Sequence, residues 1–221
     1  MNTIKRTLLT VGVSALCILT NLAQTEKSNF SADQNNQPDS KTITAGAGFS
    51  LAGLLIRGFQ NILVDSISAN GSVGRVTRSS IPVLILSYDY TLAKHFSIGL
   101  AGSYQSWIIK IDPYYNHGTP YAGATLAISR SNLALRPLFH FGRNPDLDLY
   151  AGMRLGYTIW AVKTDSPDPS VRSANSELGD NFAPAFIFGI RHFFTHNIGF
   201  NSEASVGAPY TLAIGINFRF D

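Results

Sequence analysis

Residues 210–221 read YTLAIGINFRFD. Leu212, Ile214, Ile216, Phe218 and Phe220 alternate there with Ala213, Gly215, Asn217 and Arg219. Successive side chains of a strand point to opposite faces, so the stretch predicts a strand with one wholly apolar face and one small or polar face. Chain ends more often finish polar and loosely ordered. A terminus this regular is expected to complete a sheet.

The same two faces recur upstream. Over 147–160, Leu147, Leu149, Ala151, Met153, Leu155, Tyr157 and Ile159 oppose Asp148, Tyr150, Gly152, Arg154, Gly156, Thr158 and Trp160. Over 198–207, Ile198, Phe200, Ala204 and Val206 oppose Gly199, Asn201, Glu203, Ser205 and Gly207. From Lys41 onward, period-two patterning predicts eight strands, at 42–54, 80–92, 96–109, 132–142, 147–163, 182–193, 197–207 and 210–220. A one-residue slip would exchange the faces completely, so their agreement across strands is itself informative.

Tight turns are expected at Ala93-Lys94-His95, Arg143–Asp146 and Thr195-His196, with long connections at 55–79, 110–131 and 164–181. Short and long alternate, apart from a short link near Ala208-Pro209, which is the rhythm of an up-and-down barrel with turns at one rim and loops at the other. A soluble barrel would place the apolar face inward and cover its outside with charge. Here the other face is glycine-rich with isolated charges, suited to an eight-stranded interior that side chains just fill. The expectation is therefore all-β: an eight-stranded antiparallel up-and-down transmembrane β-barrel over 41–221. Strands of about eleven residues at ~3.3 Å each, tilted ~45°, cover the ~25 Å apolar band of such barrels.

Gly215-x-x-Phe218-x-Phe220 resembles the carboxy-terminal signal by which the outer-membrane assembly machinery recognises its clients, with Ala213 where a polar residue is usual and Asp221 after the final aromatic. Residues 138–157, LFHFGRNPDLDLYAGMRLGY, are similar to the periplasmic hairpin of small outer-membrane barrels of the OmpA and OmpX type. The resemblance covers about Lys41 to Asp221. It implies location in the bacterial outer membrane, with membrane lipid, lipopolysaccharide and the barrel assembly machinery as partners. Function is not implied, because one fold hosts many.

The amino-terminal end agrees. Lys5 and Arg6 precede an apolar run from Thr7 to Leu22 that is too short for a spanning helix and reads as a secretory signal, cleaved near Ala23. Residues 24–40 form a polar stretch expected to be a flexible periplasmic leader. The single cysteine, Cys17, lies inside the signal; Leu16 before it argues against lipidation, and no disulfide framework or cysteine metal site is expected in the exported chain. Without Lys5 and Arg6, the 17 basic and 14 acidic residues become 15 and 14, which leaves no electrostatic footprint for nucleic acid. Charged residues make up 14% of the chain, about half the usual share of a soluble domain.

Strand parity assigns seven charges to the lumen: Asp89, Arg136, Asp148, Arg154, Arg191, Glu203 and Arg219. Counted from the short-turn rim, Arg136, Arg154 and Glu203 share a mid-barrel height and the other four lie lower. Buried charges require partners, so Glu203 is expected to meet Arg136 or Arg154 in a network that fills the barrel rather than gates it. An alternative is a lipid-modifying enzyme, a lipopolysaccharide deacylase or acyltransferase, which needs a nucleophile beside a base. His95-Phe96-Ser97 offers that pair only at the periplasmic rim, where His140, His192 and His196 also fall; His117 alone is on the outer side. No catalytic residue is therefore assigned, and no cofactor or metal is expected. Tyr114, Tyr115, His117 and Tyr121 are candidate outer-loop contacts for a surface ligand, or members of the aromatic girdle at the membrane interface.

Overall fold

A computed structural model describes residues 38–51, 53–55, 58, 75–116, 119–141, 146–166, 181–207 and 209–220. The expected signal and most of the leader lie outside the described residues. The strands are β1 (Lys41–Phe49), β2 (Val76–Ser80), β3 (Val83–Ala93), β4 (Phe96–Ile111), β5 (Tyr114–Asn116), β6 (Thr119–Tyr121), β7 (Ala124–His140), β8 (Leu147–Asp165), β9 (Asn181–Phe193), β10 (Ile198–Gly207) and β11 (Leu212–Phe220). Apart from the β5–β6 hairpin they form one sheet, ordered β2-β4-β3-β1-β11-β10-β9-β8-β7 and sealed by pairing of β4 with β7.

All these pairings are antiparallel, and β2 with β3 make one interrupted stave, so the wall is a closed barrel of eight staves. The last strand, β11, sits between β1 and β10, with Lys41 opposite Phe220 and Phe49 opposite Leu212. Thr44 Oγ1–H donates to Asn217 Oδ1 at 2.7 Å inside this seam. Short links need special backbone at few places. At the end of β10, Gly207 has φ +126°, and a Cβ there would strike Ala185.

The bulky groups face out. In β7, Leu133 is 66% exposed while Ala134 is 2% exposed, and Leu86, Leu100, Phe186 and Ile214 are likewise outward and exposed. The apolar area so displayed would be unstable against water. Inside, Thr42, Asp89, Asn132, Arg154 and Asn217 are buried.

Three expected boundaries moved. The second strand, expected at 80–92, is broken at Ile81-Pro82: proline cannot donate to a ladder, and Val76–Ser80 resume pairing only with β4. The first, expected to reach 54, stops at Phe49, because the chain turns into a helical segment where Gly53 N–H and Leu54 N–H donate to Ser50 O. The fourth begins at Ala124 rather than 132. Its first turns were hidden because the alternation changes phase there. Ile128 lies opposite Trp107, which is buried, so Leu126, Ile128 and Arg130 point inward while Thr125, Ala127 and Ser129 point out.

The supposed long connection at 110–131 is thus mostly strand, carrying the β5–β6 hairpin in which Tyr114 pairs with Tyr121. Residues 38–40 join the barrel: Asp39 N–H donates to Thr91 O and Ser40 Oγ–H to Thr91 Oγ1 at 3.0 Å.

Candidate functional site

The lumen is organised in layers set by strand parity. All seven charges assigned to it are buried. In the middle, Arg136 Nη2–H donates to Glu203 Oε2 at 2.8 Å, and its Nε lies 3.2 Å from Asp89 Oδ1. Tyr150 O–H donates to the same Glu203 oxygen at 2.7 Å, and Tyr210 O–H donates to the other. Asp89 also holds Arg191, whose Nη1 is 3.6 Å from Asp148 Oδ2 and whose guanidinium lies over the Tyr150 ring.

Arg154 reaches the cluster through neutral groups, donating to Asn132 Oδ1 at 3.1 Å and to Tyr210 Oη at 3.4 Å. Arg219 is at the short-turn rim, stacked on Phe193 and donating to His196 O from Nε and Nη2. Glu203 therefore accepts from three donors, and Asp89 accepts from Arg191 while facing Arg136 as an ion pair, so each buried carboxylate has the opposite charge that its desolvation cost demands. Glycines make room for this layer. A Cβ on Gly99 would overlap Asp89, and one on Gly189 would overlap the Tyr150 ring.

Closer to the short-turn rim, Ser97 Oγ is 2.8 Å from His140 Nε2, and His140 Nδ1 is 2.8 Å from Asp148 Oδ1. The carboxylate fixes the tautomer: Nδ1–H donates to Asp148, and Nε2 accepts the Ser97 hydroxyl proton. This corrects the pairing expected of His95 with Ser97. The base beside Ser97 is His140, because β4 and β7 bring Ser97 opposite Leu138, while His95 is exposed on the turn with Nδ1 3.0 Å from His140 O. The order serine, histidine, aspartate is that of a nucleophilic triad. All three side chains are sealed, however, with Ser97 only 1% exposed.

Sequence parity missed the outer layer. Arg130 lies inward on β7, with Trp107 of β4 and Trp160 of β8 flanking it and stacked at 6.1 Å between ring centroids. Its Nη2–H donates to Ser50 Oγ, Gln105 Oε1 and Pro209 O. A cavity of about 420 Å³ lined by Arg130, Ser205 and Pro209 lies beside it, and one of about 200 Å³ sits between the end of β1 and Pro82, against Trp107. The signal that would have found this layer is the phase change itself: a run whose apolar residues switch parity is a strand leaving an apolar surrounding. Of the candidate loop contacts, Tyr114, Tyr115 and Tyr121 belong to the β5–β6 hairpin by backbone, and His117 lies outside the described residues. Gly215, Phe218 and Phe220 are all on β11. No His, Cys, Asp or Glu grouping among the described residues is arranged to hold a metal ion.

No protein-family model matches the chain, and no curated protein matches it. Solved structures do. The outer membrane protein OprG from Pseudomonas aeruginosa is similar at 12% identity over 85% of this chain and 98% of that one, with a TM-score of 0.53. The attachment invasion locus protein Ail of Yersinia pestis, solved with the heparin analogue sucrose octasulfate, matches at 12% identity over 83% of this chain and 100% of its own, with a TM-score of 0.42. The N-terminal β-barrel domain of Pseudomonas aeruginosa OprF matches at 15% identity over 83% of this chain and 98% of its own, also at 0.42. The chain has the fold of the eight-stranded outer-membrane β-barrels.

Proposed function

We propose that the protein is an exported barrel of the bacterial outer membrane whose lumen is sealed, so that it serves as a structural or surface-binding element rather than an open pore. The apolar belt lies among lipid chains and lipopolysaccharide, and Gly215, Phe218 and Phe220 present the signal read by the assembly machinery. Removal of residues 1–23 on export completes this reading. The observation that carries it is the middle layer. The void lined by Arg136, Glu203, Tyr210 and Asn201 measures about 10 Å³, room for one water at most and not for a file of them.

Single-channel recording in planar bilayers tests the seal. The expected trace shows no sustained open state; steady ohmic steps from the wild-type protein would overturn the reading.

The Ser97–His140–Asp148 alignment supports one competing reading, the lipid-modifying enzyme. Catalysis needs a substrate carbonyl within bonding reach of the nucleophile, and Ser97 faces packed side chains. The alignment serves instead to tie β4, β7 and β8 together at the short-turn end. A fluorophosphonate probe in detergent-solubilised protein distinguishes the two: Ser97 stays unlabelled if its role is structural, and a covalent adduct on Ser97 would establish the enzyme reading.

A further inference from the structure

Eight charged Asp, Glu and Arg side chains are buried among the described residues, five of them arginines and three carboxylates. The carboxylates are all engaged at the middle and lower layers. Arg130, 4% exposed, has no carboxylate within ion-pair distance among the described residues. Its Nη2 donates to three neutral oxygens, and its guanidinium lies 5.9 Å from the Trp107 ring centroid and 5.3 Å from that of Trp160. A guanidinium withdrawn from water without a counter-charge is costly, and among the described residues only neutral oxygens and the two indole rings meet it.

A second group points into the same space. Ser205, inward on β10 and 5% exposed, has a buried Oγ without a hydrogen-bond partner among the described residues. Ser205 and Arg130 line the same cavity of about 420 Å³, a volume within the range of small-molecule sites, about 300–1,000 Å³. The apolar lining of the cavity is Leu51, Val206 and Pro209, while the two tryptophans flank Arg130.

We propose that the outer end of the lumen binds a small organic carboxylate with an apolar body, its carboxylate held by Arg130 and the Ser205 hydroxyl and its body in the cavity against Leu51 and Pro209. A guanidinium presents parallel N–H groups matched to the two oxygens of a carboxylate, and the serine O–H donates a further bond. One arginine neutralises one negative charge. A phosphate monoester would carry about twice that charge into the layer and is disfavoured. The site deepens the surface-binding reading, and rests on it only for which rim faces outward.

Both tryptophans of the chain flank Arg130, so intrinsic emission reports a ligand on that guanidinium without labelling. The barrel in lipid nanodiscs is titrated with 4-bromobenzoate, whose bromine quenches indole, and in parallel with 4-bromobenzamide and 4-bromophenyl phosphate. Saturable quenching by the carboxylate is expected, with the amide at least about tenfold weaker, as the loss of a charged hydrogen bond implies, and the phosphate weaker because its second negative charge has no partner. Arg130→Gln should weaken the carboxylate by about tenfold or more. Ser205→Phe fills the cavity away from the indoles and should abolish saturation. Linear quenching that is equal for acid and amide, which reports partition into lipid, overturns the site, as does saturation undiminished in both variants. Preferential binding of the phosphate ester overturns the carboxylate assignment. If neither variant folds, the acid-against-amide comparison in the wild type decides alone. Conductance of the barrel with saturable quenching would overturn the seal and leave the site standing; a silent barrel with linear quenching would do the reverse.

Discussion

The middle and the outer end of this barrel solve opposite problems with the same staves. In the middle, bulky side chains such as Leu86, Leu100 and Leu133 are outside and ions are inside, each carboxylate set against arginine. At the outer end of β4, β7 and β8 the sides exchange character. Lys110, Thr125, Ala127, Ser129, Lys163 and Asp165 take outward positions, with Ile108 the one bulky apolar residue left among them, and Trp107, Ile109, Leu126, Ile128, Trp160 and Val162 the inward ones. Backbone pairing runs through the exchange unbroken, since β4 and β7 stay in register from Phe96–Phe139 to Ile111–Ala124. Hydrogen bonding therefore does not mark the change. In the membrane placement proposed here the solvent outside the wall changes, hydrocarbon below and water above, and the face pattern follows it.

Removing a partner from the ionic middle should have the largest effect. Asp89→Asn leaves both Arg136 and Arg191 short of a counter-charge and is expected to cost about 3–5 kcal/mol, read as a lower midpoint of urea unfolding in lipid vesicles. Next comes a pair of charges placed on the two kinds of outer surface. Leu86→Arg, in the apolar belt, should cost about 2–4 kcal/mol, whereas Ala127→Arg, on the outer extension of β7, should cost about 1 kcal/mol or less. Equal costs would erase the distinction between the regions. Gly189→Ala drives a methyl into the Tyr150 ring and should cost about 1–3 kcal/mol by overpacking, seen as a drop in the temperature of the heat-modifiable gel shift. Ser97→Ala removes one neutral hydrogen bond to His140 and should cost about 1 kcal/mol; a much larger loss would mean that the Ser97–His140–Asp148 chain organises more of the short-turn end than its bonds suggest.

Legibility in the sequence followed the same division. Where β8, β10 and β11 run through the belt, alternation was regular enough to assign faces and to send Arg154, Glu203 and Arg219 inward. Asp89 and Arg191 could be placed inside, but not joined, because the two residues are 102 apart in sequence. Arg130 was missed for a physical reason: a pattern search anchored on outward apolar residues ends where the surroundings turn aqueous, so 124–131 looked like loop. Pro82 was visible, yet the strand expected at 80–92 ran through it and 55–79 looked like connection, and only pairing shows that Val76–Ser80 form a strand held by β4. The His140 pairing with Ser97 spans 43 residues, and the nearer His95 was the natural candidate; the turn between β3 and β4 instead carries His95 to the surface.

The wall reverses its faces along a single strand, and β7 is where to measure it. With Cys17, the sole cysteine, replaced by serine, nitroxide labels placed one at a time from Thr125 to Phe139 in liposome-embedded protein report collision with oxygen, which favours lipid, and with a nickel chelate, which favours water. The expected profile has oxygen maxima at Leu133 and Leu135, and chelate maxima at Thr125, Ala127 and Ser129 on the same face. Oxygen maxima continuing on odd positions up to Thr125, or appearing at Ala134 and Arg136, would contradict it.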